Sequence, residues 1–355
     1  MSEVETIHGV DGGLAAIVLN RPRVLNALSP RQLTDLGRLL LEWRDDPAVG
    51  AVVVEGAGER AFCAGGDIRA VWDNRLAGRE DANIAIFRDE YRLDRLIHHY
   101  PKPYVAVLDG IVMGGGAGVS VNGRWRVATE RTLFAMPEAA IGFFPDVGAT
   151  HFLSRCPGRI GVFLGLTGTR LGPADCLWAG LATHFVLASA LPALKVDLRR
   201  AAGSGKPAEA VEAILAAHHR EPGPSSLADL APAVDRVFAV PSPRELVSAL
   251  VAEGADWAWQ ALESIGDASP TSVAVIWRQL SDGKGLGFDD AIRREFRLAR
   301  RFLAGHDFHE GIRALMIDKD RTPHWSPPTL AELPATRIDA LFAPLDDGEL
   351  EFFAG

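Results

Sequence analysis

The fold of this chain is decided by residues 104–148, YVAVLDGIVMGGGAGVSVNGRWRVATERTLFAMPEAAIGFFPDVG. The apolar run Tyr104–Leu108 predicts a buried strand. Trp125–Ala128 predicts a second strand, which leads on to Thr132–Met136. Glycines and other small residues lie between the two strands, and two carboxylates close the stretch. The segment therefore combines buried strands with a glycine-rich turn and acids.

The glycines at 114–116 and the carboxylates Glu138 and Asp146 make this stretch a candidate binding site. Glycine lets the backbone approach a ligand closely. A helix that begins at these glycines would direct its free N–H groups and the positive end of its dipole at that ligand. The pattern predicts an anion or oxyanion site with acids beside it. The competing interpretation is a tight strand-to-helix connection without a ligand.

Composition and charge exclude several classes of protein. The 355 residues are 48% apolar, enough for one main domain and an appended one. A net charge of -9 argues against a nucleic-acid partner. The three cysteines lack metal-ligand spacing, which predicts free thiols in a cytoplasmic protein. The N-terminus lacks a signal-peptide pattern, and no uncharged apolar run of about 18 residues predicts a membrane span.

The first part of the chain alternates between strand and helix patterns. Ala15–Asn20 and Val49–Val54 are apolar runs that predict strands. Between them, Ser29-Pro30-Arg31-Gln32 has the form of a capping box with proline at the first helical position. This alternation predicts an α/β fold with parallel strand pairing. No G-x-G-x-x-G follows the first strand, so a dinucleotide-binding fold gains no support.

A second turn of small residues, Arg60–Ile68, contains Gly65 and Gly66 and comes just after a predicted strand. Asp67 is a candidate N-cap for the helix that follows. Together with the glycines at 114–116, this turn gives the chain two places where backbone N–H groups are exposed. Two N–H donors that converge on one carbonyl oxygen form an oxyanion hole.

These motifs resemble those of the crotonase (enoyl-CoA hydratase/isomerase) superfamily, through AFCAGGDI at 61–68, GIVMGGGAG at 110–118 and MPE at 136–138. Longer segments, including 126–148 and 305–325, resemble its 3-hydroxyisobutyryl-CoA hydrolase branch. The resemblance implies an α/β crotonase-like spiral of ββα turns, with two roughly perpendicular sheets flanked by helices and a helical C-terminal region.

The resemblance also implies a division of the chain. Residues 1–200 would form the core that holds the acyl-CoA site. Residues 201–355 would form a mostly helical region that completes the CoA site and makes contacts in a homo-oligomer, a trimer or a hexamer.

Particular residues gain roles from the same resemblance. Gly66 and Gly115 would donate their backbone N–H groups to the thioester oxygen of an acyl-CoA, and Lys319 would contact the CoA. The other residues implied at the substrate site flank the two turns and are Ala64, Gly65, Asp67, Ile68 and Gly114. Coenzyme A enters only as part of the substrate, and neither a metal nor another cofactor is expected.

The acids of the chain distinguish between reactions of the superfamily. Hydratases of the superfamily use two glutamates, and the first of these positions is Gly118 here. The chain instead has Glu138 and Asp146, the pair that the hydrolase branch uses. Apolar surroundings and a second carboxylate would raise the pKa of each acid. Without the resemblance, Asp146 is better interpreted as the N-cap of a short following helix, and Glu138 can be a helix-start acid.

The resemblance therefore implies hydrolysis of a short 3-hydroxyacyl-CoA thioester, first of all 3-hydroxyisobutyryl-CoA, which belongs to valine breakdown. Glu138 would attack the carbonyl carbon or activate water, and Asp146 would orient the 3-hydroxyl or assist proton transfer to the thiol. One alternative is an enoyl-CoA isomerase or hydratase of the same superfamily. Another is an acyl-CoA-binding protein without catalytic activity.

Overall fold

The computed structural model describes residues 4–353. Residues 1–3, on which the expectation of no signal peptide partly rests, and residues 354–355 lie outside this range. The strands are β1 (Thr6–Asp11), β2 (Leu14–Leu19), β3 (Ala51–Gly56), β4 (Ala61–Cys63), β5 (Tyr104–Leu108), β6 (Ile111–Met113), β7 (Trp125–Ala128), β8 (Leu133–Ala135) and β9 (His184–Phe185).

The helices of the first two-thirds of the chain surround these strands. They are α1 (Pro30–Asp45), α2 (Ile68–Leu76), α3 (Glu80–His98), α4 (Gly115–Val121), α5 (Ala149–Phe152), α6 (Ile160–Thr167), α7 (Pro173–Trp178), α8 (Leu191–Ala202), α9 (Pro207–His218) and α10 (Ser226–Val237). Short 3₁₀ helices span Pro22–Val24, Glu138–Ile141, Leu153–Arg155 and Ala188–Ala190.

The remaining helices form the C-terminal region. They are α11 (Pro243–Glu253), α12 (Asp256–Asp267), α13 (Pro270–Gly283), α14 (Phe288–Ala304), α15 (Asp307–Ile312), a π-helical turn (Arg313–Ile317) and α16 (Ala335–Phe342). In the described part of the chain, no helix is both long enough and apolar enough to cross a membrane.

The strands form two sheets, which confirms the predicted α/β class. The larger sheet has the order β1-β2-β3-β5-β7-β9, and the smaller has the order β4-β6-β8. Every pairing is parallel except that of β1 with β2, which form an antiparallel hairpin. The sequence analysis did not predict β1, because this edge strand is mostly exposed and lacks an apolar run.

From β3 onward, consecutive strands alternate between the two sheets, and this alternation builds the spiral. β3, β5, β7 and β9 belong to the large sheet, whereas β4, β6 and β8 belong to the small one. Each ββα turn therefore adds one strand to each sheet before the chain continues into a helical segment. The carboxyl ends of β4, β6 and β8 consequently lie along one edge of the small sheet, since all three strands are parallel.

Strands β2, β3, β5 and β7 of the large sheet are covered on both faces, which explains why they are near-continuous apolar runs. On β3, Val52 and Val54 belong to the main core, and Ala51 and Val53 belong to a second core. The second core also contains leucines of α8 and α9. Residue 200, where the sequence analysis divided the chain, lies inside α8.

Local sequence signals account for several element boundaries. Ser29 accepts a hydrogen bond from the backbone N–H of Gln32 at 3.1 Å, and the Gln32 side chain accepts one from the N–H of Ser29 at 3.2 Å, which confirms the capping box. Asp67 caps α2 by accepting a bond from the N–H of Ala70 at 3.3 Å. The predicted strand at 49–54 begins and ends two residues later, at 51–56.

Candidate active site

The two glycine turns meet at the edge of the small sheet. Gly65 and Gly66 follow β4, and Gly114 and Gly115 follow β6, its parallel neighbour. A Cβ atom built on Gly115 would lie 3.2 Å from the backbone nitrogen of Gly66. Gly65 has φ of 115° and Gly114 has φ of 48°, conformations that favour glycine. Strand pairing therefore brings together two turns that are far apart in the sequence.

Both turns present backbone N–H groups without a partner. Among residues 4–353, neither the N–H of Gly66 nor that of Gly115 donates to a backbone or side-chain acceptor. Gly115 is the first residue of α4, so its N–H has no acceptor within the helix. Buried N–H groups left unpaired cost free energy unless a ligand or water accepts from them.

These turns form one wall of a cavity of about 300 Å³. Its remaining walls are mostly apolar, with side chains from the start of α1, from α2 and α3, and from the segment after β8. The predicted site residues that line it are Ala64, Gly65, Gly66, Asp67, Ile68, Gly114, Gly115, Glu138 and Asp146. The pocket is thus lined by apolar side chains, free N–H groups and acids.

Glu138 enters the pocket directly after the last strand of the small sheet. It follows β8 through Pro137 and is the first residue of a 3₁₀ helix. Its side chain is buried, and its Oε2 atom has no hydrogen-bond partner. Burial, and then the charge of Asp146, raise the pKa of Glu138 well above its usual value. Its other oxygen, Oε1, lies 3.1 Å from where a Cβ on Gly114 would be.

Asp146 is held by a tyrosine of α3. The Tyr91 hydroxyl donates to Oδ2 of Asp146 at 2.7 Å, and both side chains are buried. Burial raises the pKa of Asp146 to about 7, although the Tyr91 hydrogen bond lowers it. The interpretation of Asp146 as a helix N-cap is wrong, because α5 begins at Ala149 with Gly148 as its N-cap. The carboxylate is directed at α3 instead.

The loop that carries Asp146 is fixed by the C-terminal helices. Glu295 of α14 accepts hydrogen bonds from the N–H groups of Gly148 and Thr150, each at 2.7 Å. The Gln279 side chain of α13 donates to the Pro145 carbonyl at 2.7 Å. The helical region therefore contributes to the site by holding this loop in place.

Sequence reasoning missed two further buried acids, Glu90 and Asp94, one turn apart on α3. Glu90 lines the pocket, and a Cβ on Gly115 would lie 2.4 Å from its Oε1 atom. Burial, and then the charge of Asp146, raise the pKa of Glu90 to about 8. The available signal was their placement beside Phe87, Tyr91 and Ile97 on the buried face of an amphipathic helix.

The structure does not bring Lys319 into the lining of the pocket. Its side chain is exposed just beyond the π-helical turn, whereas Leu315 of that turn lines the cavity. Asp67 lines the pocket while also pairing with Arg21 at 2.8 Å. Within residues 4–353, no group of three or more His, Cys, Asp or Glu side chains is arranged to hold a metal ion.

The fold agrees with the comparisons to known proteins. The profile of the enoyl-CoA hydratase/isomerase family matches residues 14–342. The chain therefore belongs to this family, the crotonase superfamily that its motifs resemble.

Curated relatives match over nearly the whole chain. A protein of Gallus gallus named 3-hydroxyisobutyryl-CoA hydrolase, mitochondrial, is 43% identical, and the match covers 99% of this chain and 91% of the relative. The Homo sapiens protein of the same name is 40% identical, over 96% of this chain and 89% of the relative.

Two crystal structures have the same overall fold. One, described as a carnitinyl-CoA dehydratase from Mycobacterium thermoresistibile, has a TM-score of 0.91 and 38% identity over 99% of both chains. The other, described as an enoyl-CoA hydratase from Rhodobacter sphaeroides 2.4.1, has a TM-score of 0.91 and 36% identity over 98% of this chain and 100% of that one.

The predicted cytoplasmic location is wrong by these comparisons, because the curated relatives are named as mitochondrial proteins. The prediction rested on free cysteines, and Cys63, Cys156 and Cys176 are indeed unpaired and buried. Unpaired thiols show only that disulfides are not needed for the fold. They do not distinguish between reducing compartments.

Proposed function

We propose that this chain hydrolyses a short 3-hydroxyacyl-CoA thioester, first of all 3-hydroxyisobutyryl-CoA, to the free acid and CoA, as a step of valine breakdown. The observation that carries the proposal is the position of Glu138, a buried carboxyl with an unpartnered oxygen in a pocket that also has two free N–H groups. The names of relatives 40–43% identical to this chain support the same reaction.

In this proposal, the N–H groups of Gly66 and Gly115 bind the thioester oxygen. That oxygen becomes negatively charged when the carbonyl carbon is attacked. Fixed donors in an apolar pocket stabilise the charge without having to reorient, and loss of one donor typically raises the barrier by about 3–4 kcal/mol. The apolar lining strengthens this interaction because it excludes water.

Glu138 supplies the attack in its ionised form. Either its carboxylate adds to the carbonyl carbon, the C–S bond breaks, and water then cleaves the resulting anhydride, or the carboxylate removes a proton from water that attacks directly. Both routes release the CoA thiolate, which takes up one proton. Both also require a deprotonated Glu138, so its raised pKa makes the carboxylate a stronger base.

Asp146 and Glu90 are the other acids of the pocket, and they can interact with the leaving thiol and the acyl group. With a pKa of about 7, Asp146 can exchange a proton with the leaving thiol near neutral pH or accept a hydrogen bond from the 3-hydroxyl. The pocket accommodates a small acyl group. The difference between 3-hydroxyisobutyryl and 3-hydroxypropionyl is one methyl group, worth only about 1–3 kcal/mol of discrimination.

Glu90 favours a second candidate, the addition of water to an enoyl-CoA. That reaction needs one group to activate water and another to protonate the α-carbon. Position 118 is a glycine and supplies no acid, but Glu90 and Glu138 both line the pocket. The names of the two structural relatives, a dehydratase and a hydratase, agree with this candidate.

The test is CoA release from 3-hydroxyisobutyryl-CoA, followed with a thiol-reactive dye, with hydration of crotonyl-CoA measured in parallel. The Glu138→Gln variant should lose about 10³-fold or more in kcat, because an amide neither attacks nor accepts the proton. The matched control is Glu42→Gln, an exposed glutamate of α1, which should keep the wild-type rate. CoA release by Glu138→Gln at the wild-type rate would overturn the mechanism. Rapid hydration of crotonyl-CoA by the wild-type protein, without CoA release, would establish the second candidate.

A further inference from the structure

Asp94 is a completely buried acid to which the reaction proposed above gives no role. It lies on α3 one turn after Glu90, at 0% exposure. Neither of its carboxyl oxygens makes a hydrogen bond of good geometry, although the Asn122 side chain lies beside it. That amide already donates to the carbonyls of Gly118 and Val147, at 2.8 and 2.9 Å. Buried carboxyls without partners are rare because desolvation is costly, so this one needs an explanation.

The Asp94 carboxyl fills the space that a side chain on Gly118 would occupy. A Cβ built on Gly118 would lie 2.6 Å from Oδ1 of Asp94 and 2.8 Å from Cβ of Val147. Asp94 therefore sits where three elements of the pocket meet: α3 with Glu90, α4 with Gly115, and the loop that carries Asp146. A carboxyl at this junction can act on the pocket without lining it.

The charges that act most strongly on Asp94 are all negative. They come from Glu90 on its own helix, from Asp146 in the loop and from Glu295 on α14. The Tyr104 hydroxyl of β5 is also near enough for the charge of Asp94 to raise its pKa. Burial first, and then these carboxylates, raise the pKa of Asp94 well above its usual value. A neutral carboxyl has one O–H to donate. The Oε1 atom of Glu90 is likewise buried and lacks a donor.

We propose that Asp94 is a positioning residue that keeps a proton at neutral pH and shares it with Glu90, either directly or through one buried water. The shared proton gives a partner to one unpartnered oxygen of each side chain. It also holds the Glu90 carboxyl against Gly115, on the wall that faces the acyl group. Two buried carboxyls one helical turn apart cannot both ionise, so at least one proton stays on the pair.

Two experiments on the full-length protein test this proposal, and only the kinetic one rests on the proposed function. The first is infrared difference spectroscopy of the unliganded protein at pH 7. The neutral carboxylic acid carbonyl band should lose one component in Asp94→Asn, whereas the components from the other buried acids stay. The component lost in Asp94→Asn should remain in Asp307→Asn, a buried acid whose oxygens are bonded to Ser269 and Ser326. No loss of a neutral-acid band in Asp94→Asn would overturn the proposal, whatever the activity of the enzyme.

The second experiment measures kcat and KM for thioester hydrolysis against pH. Asp94→Asn keeps a donor beside Glu90, so its rate at pH 7 should stay near wild type. In the wild-type protein, activity should fall at alkaline pH as the shared proton is lost. The amide of Asp94→Asn cannot ionise, so this fall should disappear in the variant. Asp94→Leu lacks the donor and should lose about tenfold or more in kcat, with a smaller change in KM. A wild-type alkaline fall in Asp94→Asn, or wild-type kcat in a folded Asp94→Leu, would contradict the shared proton.

Absence of hydrolysis in the wild-type protein would refute the proposed function alone, because the infrared band would still report the proton. Failure of Asp94→Leu to fold would leave Asp94→Asn to decide, since the amide is nearly isosteric with the acid. Asp307→Asn serves in both experiments and should retain the wild-type pH profile.

Discussion

Glycines at single positions allow the acids of this pocket to approach the backbone closely, because they carry no side chain. The sharpest case is Gly115, where an added Cβ would lie 2.4 Å from Oε1 of Glu90. The next glycine is constrained as well, since a Cβ on Gly116 would lie 2.3 Å from the Cys63 carbonyl oxygen. The glycine turn is thus required by close packing, in addition to any ligand.

Gly115→Ala should therefore reduce activity by displacing Glu90 and the N–H of residue 115. Removing one oxyanion donor typically costs about 10²–10³-fold in kcat, and a displaced donor should approach that loss. The control is Gly266→Ala on the exposed side of α12, where an added Cβ meets nothing within 4 Å. Steady-state kinetics of both variants, with thermal melts, would check this. Wild-type kcat in Gly115→Ala would contradict the steric argument.

At the same scale, motifs in the sequence identified only part of the pocket. Gly66, Gly115 and Glu138 lie in short glycine or Pro-Glu signatures, and Asp146 was predicted from the resemblance to the hydrolase branch. Glu90 and Asp94 lie in a segment that also resembles this branch, but they were given no role, because buried acids are the exception to hydropathy patterns. Only the fold shows that this helix supplies acids to the glycine turns.

At the level of secondary structure, the loop between the 3₁₀ helix Glu138–Ile141 and α5 is held in place by a helix that is distant in the sequence. Glu295 of α14 accepts two hydrogen bonds from the backbone of this loop. This contact cannot be predicted from the sequence of the loop or of the helix, because the two segments are far apart in the chain. Glu295 is fully buried, and burial raises its pKa to about 8.

Glu295→Ala should consequently destabilise the protein and disturb Asp146. It leaves the buried N–H groups of Gly148 and Thr150 unpaired, at about 1–3 kcal/mol each. Urea unfolding at pH 7 measures the loss, and hydrogen exchange of the loop should accelerate. Glu263→Ala, at an exposed position of α12, is the control and should change stability little. Unchanged exchange in the loop would contradict a role for α14 in holding it.

For the whole molecule, buried acids make stability depend on pH. Burial raises the pKa of Glu90 and Glu295 to about 8 and that of Asp146 to about 7. The folded state therefore keeps protons that the unfolded chain releases, so this stability is lost as pH rises towards 8. Two histidines oppose this trend below pH 6.5, the unperturbed pKa of histidine. Burial lowers the pKa of His98 and His151 to about 4, so in this range the unfolded chain binds protons that the folded state does not.

The free energy of unfolding should thus fall between pH 6.5 and pH 8, by up to about 1.4 kcal/mol per pH unit for each group that keeps its proton. Glu90→Gln should flatten this dependence, because an amide does not titrate. Urea titrations of both proteins at several pH values check it. Stability that rises over this interval in the wild-type protein would contradict the burial of neutral acids.

The overall architecture was more predictable than the pocket. Apolar runs predicted β2, β3, β5 and β7, because a sheet covered on both faces leaves no alternation in its strands. The exposed edge strand β1 and the division of strands between two sheets were not evident from local pattern. They depend on which strands pair, and pairing is a property of the complete chain.

The alternation of strands between two sheets also separates what keeps this molecule folded from what it does. The large sheet lies between two cores, whereas the strands of the small sheet lead into the glycines and Glu138. Substitutions at those three ends can alter the reaction while the larger sheet persists unchanged. Lineages that share this architecture are thereby free to diverge in chemistry without first having to rebuild a scaffold.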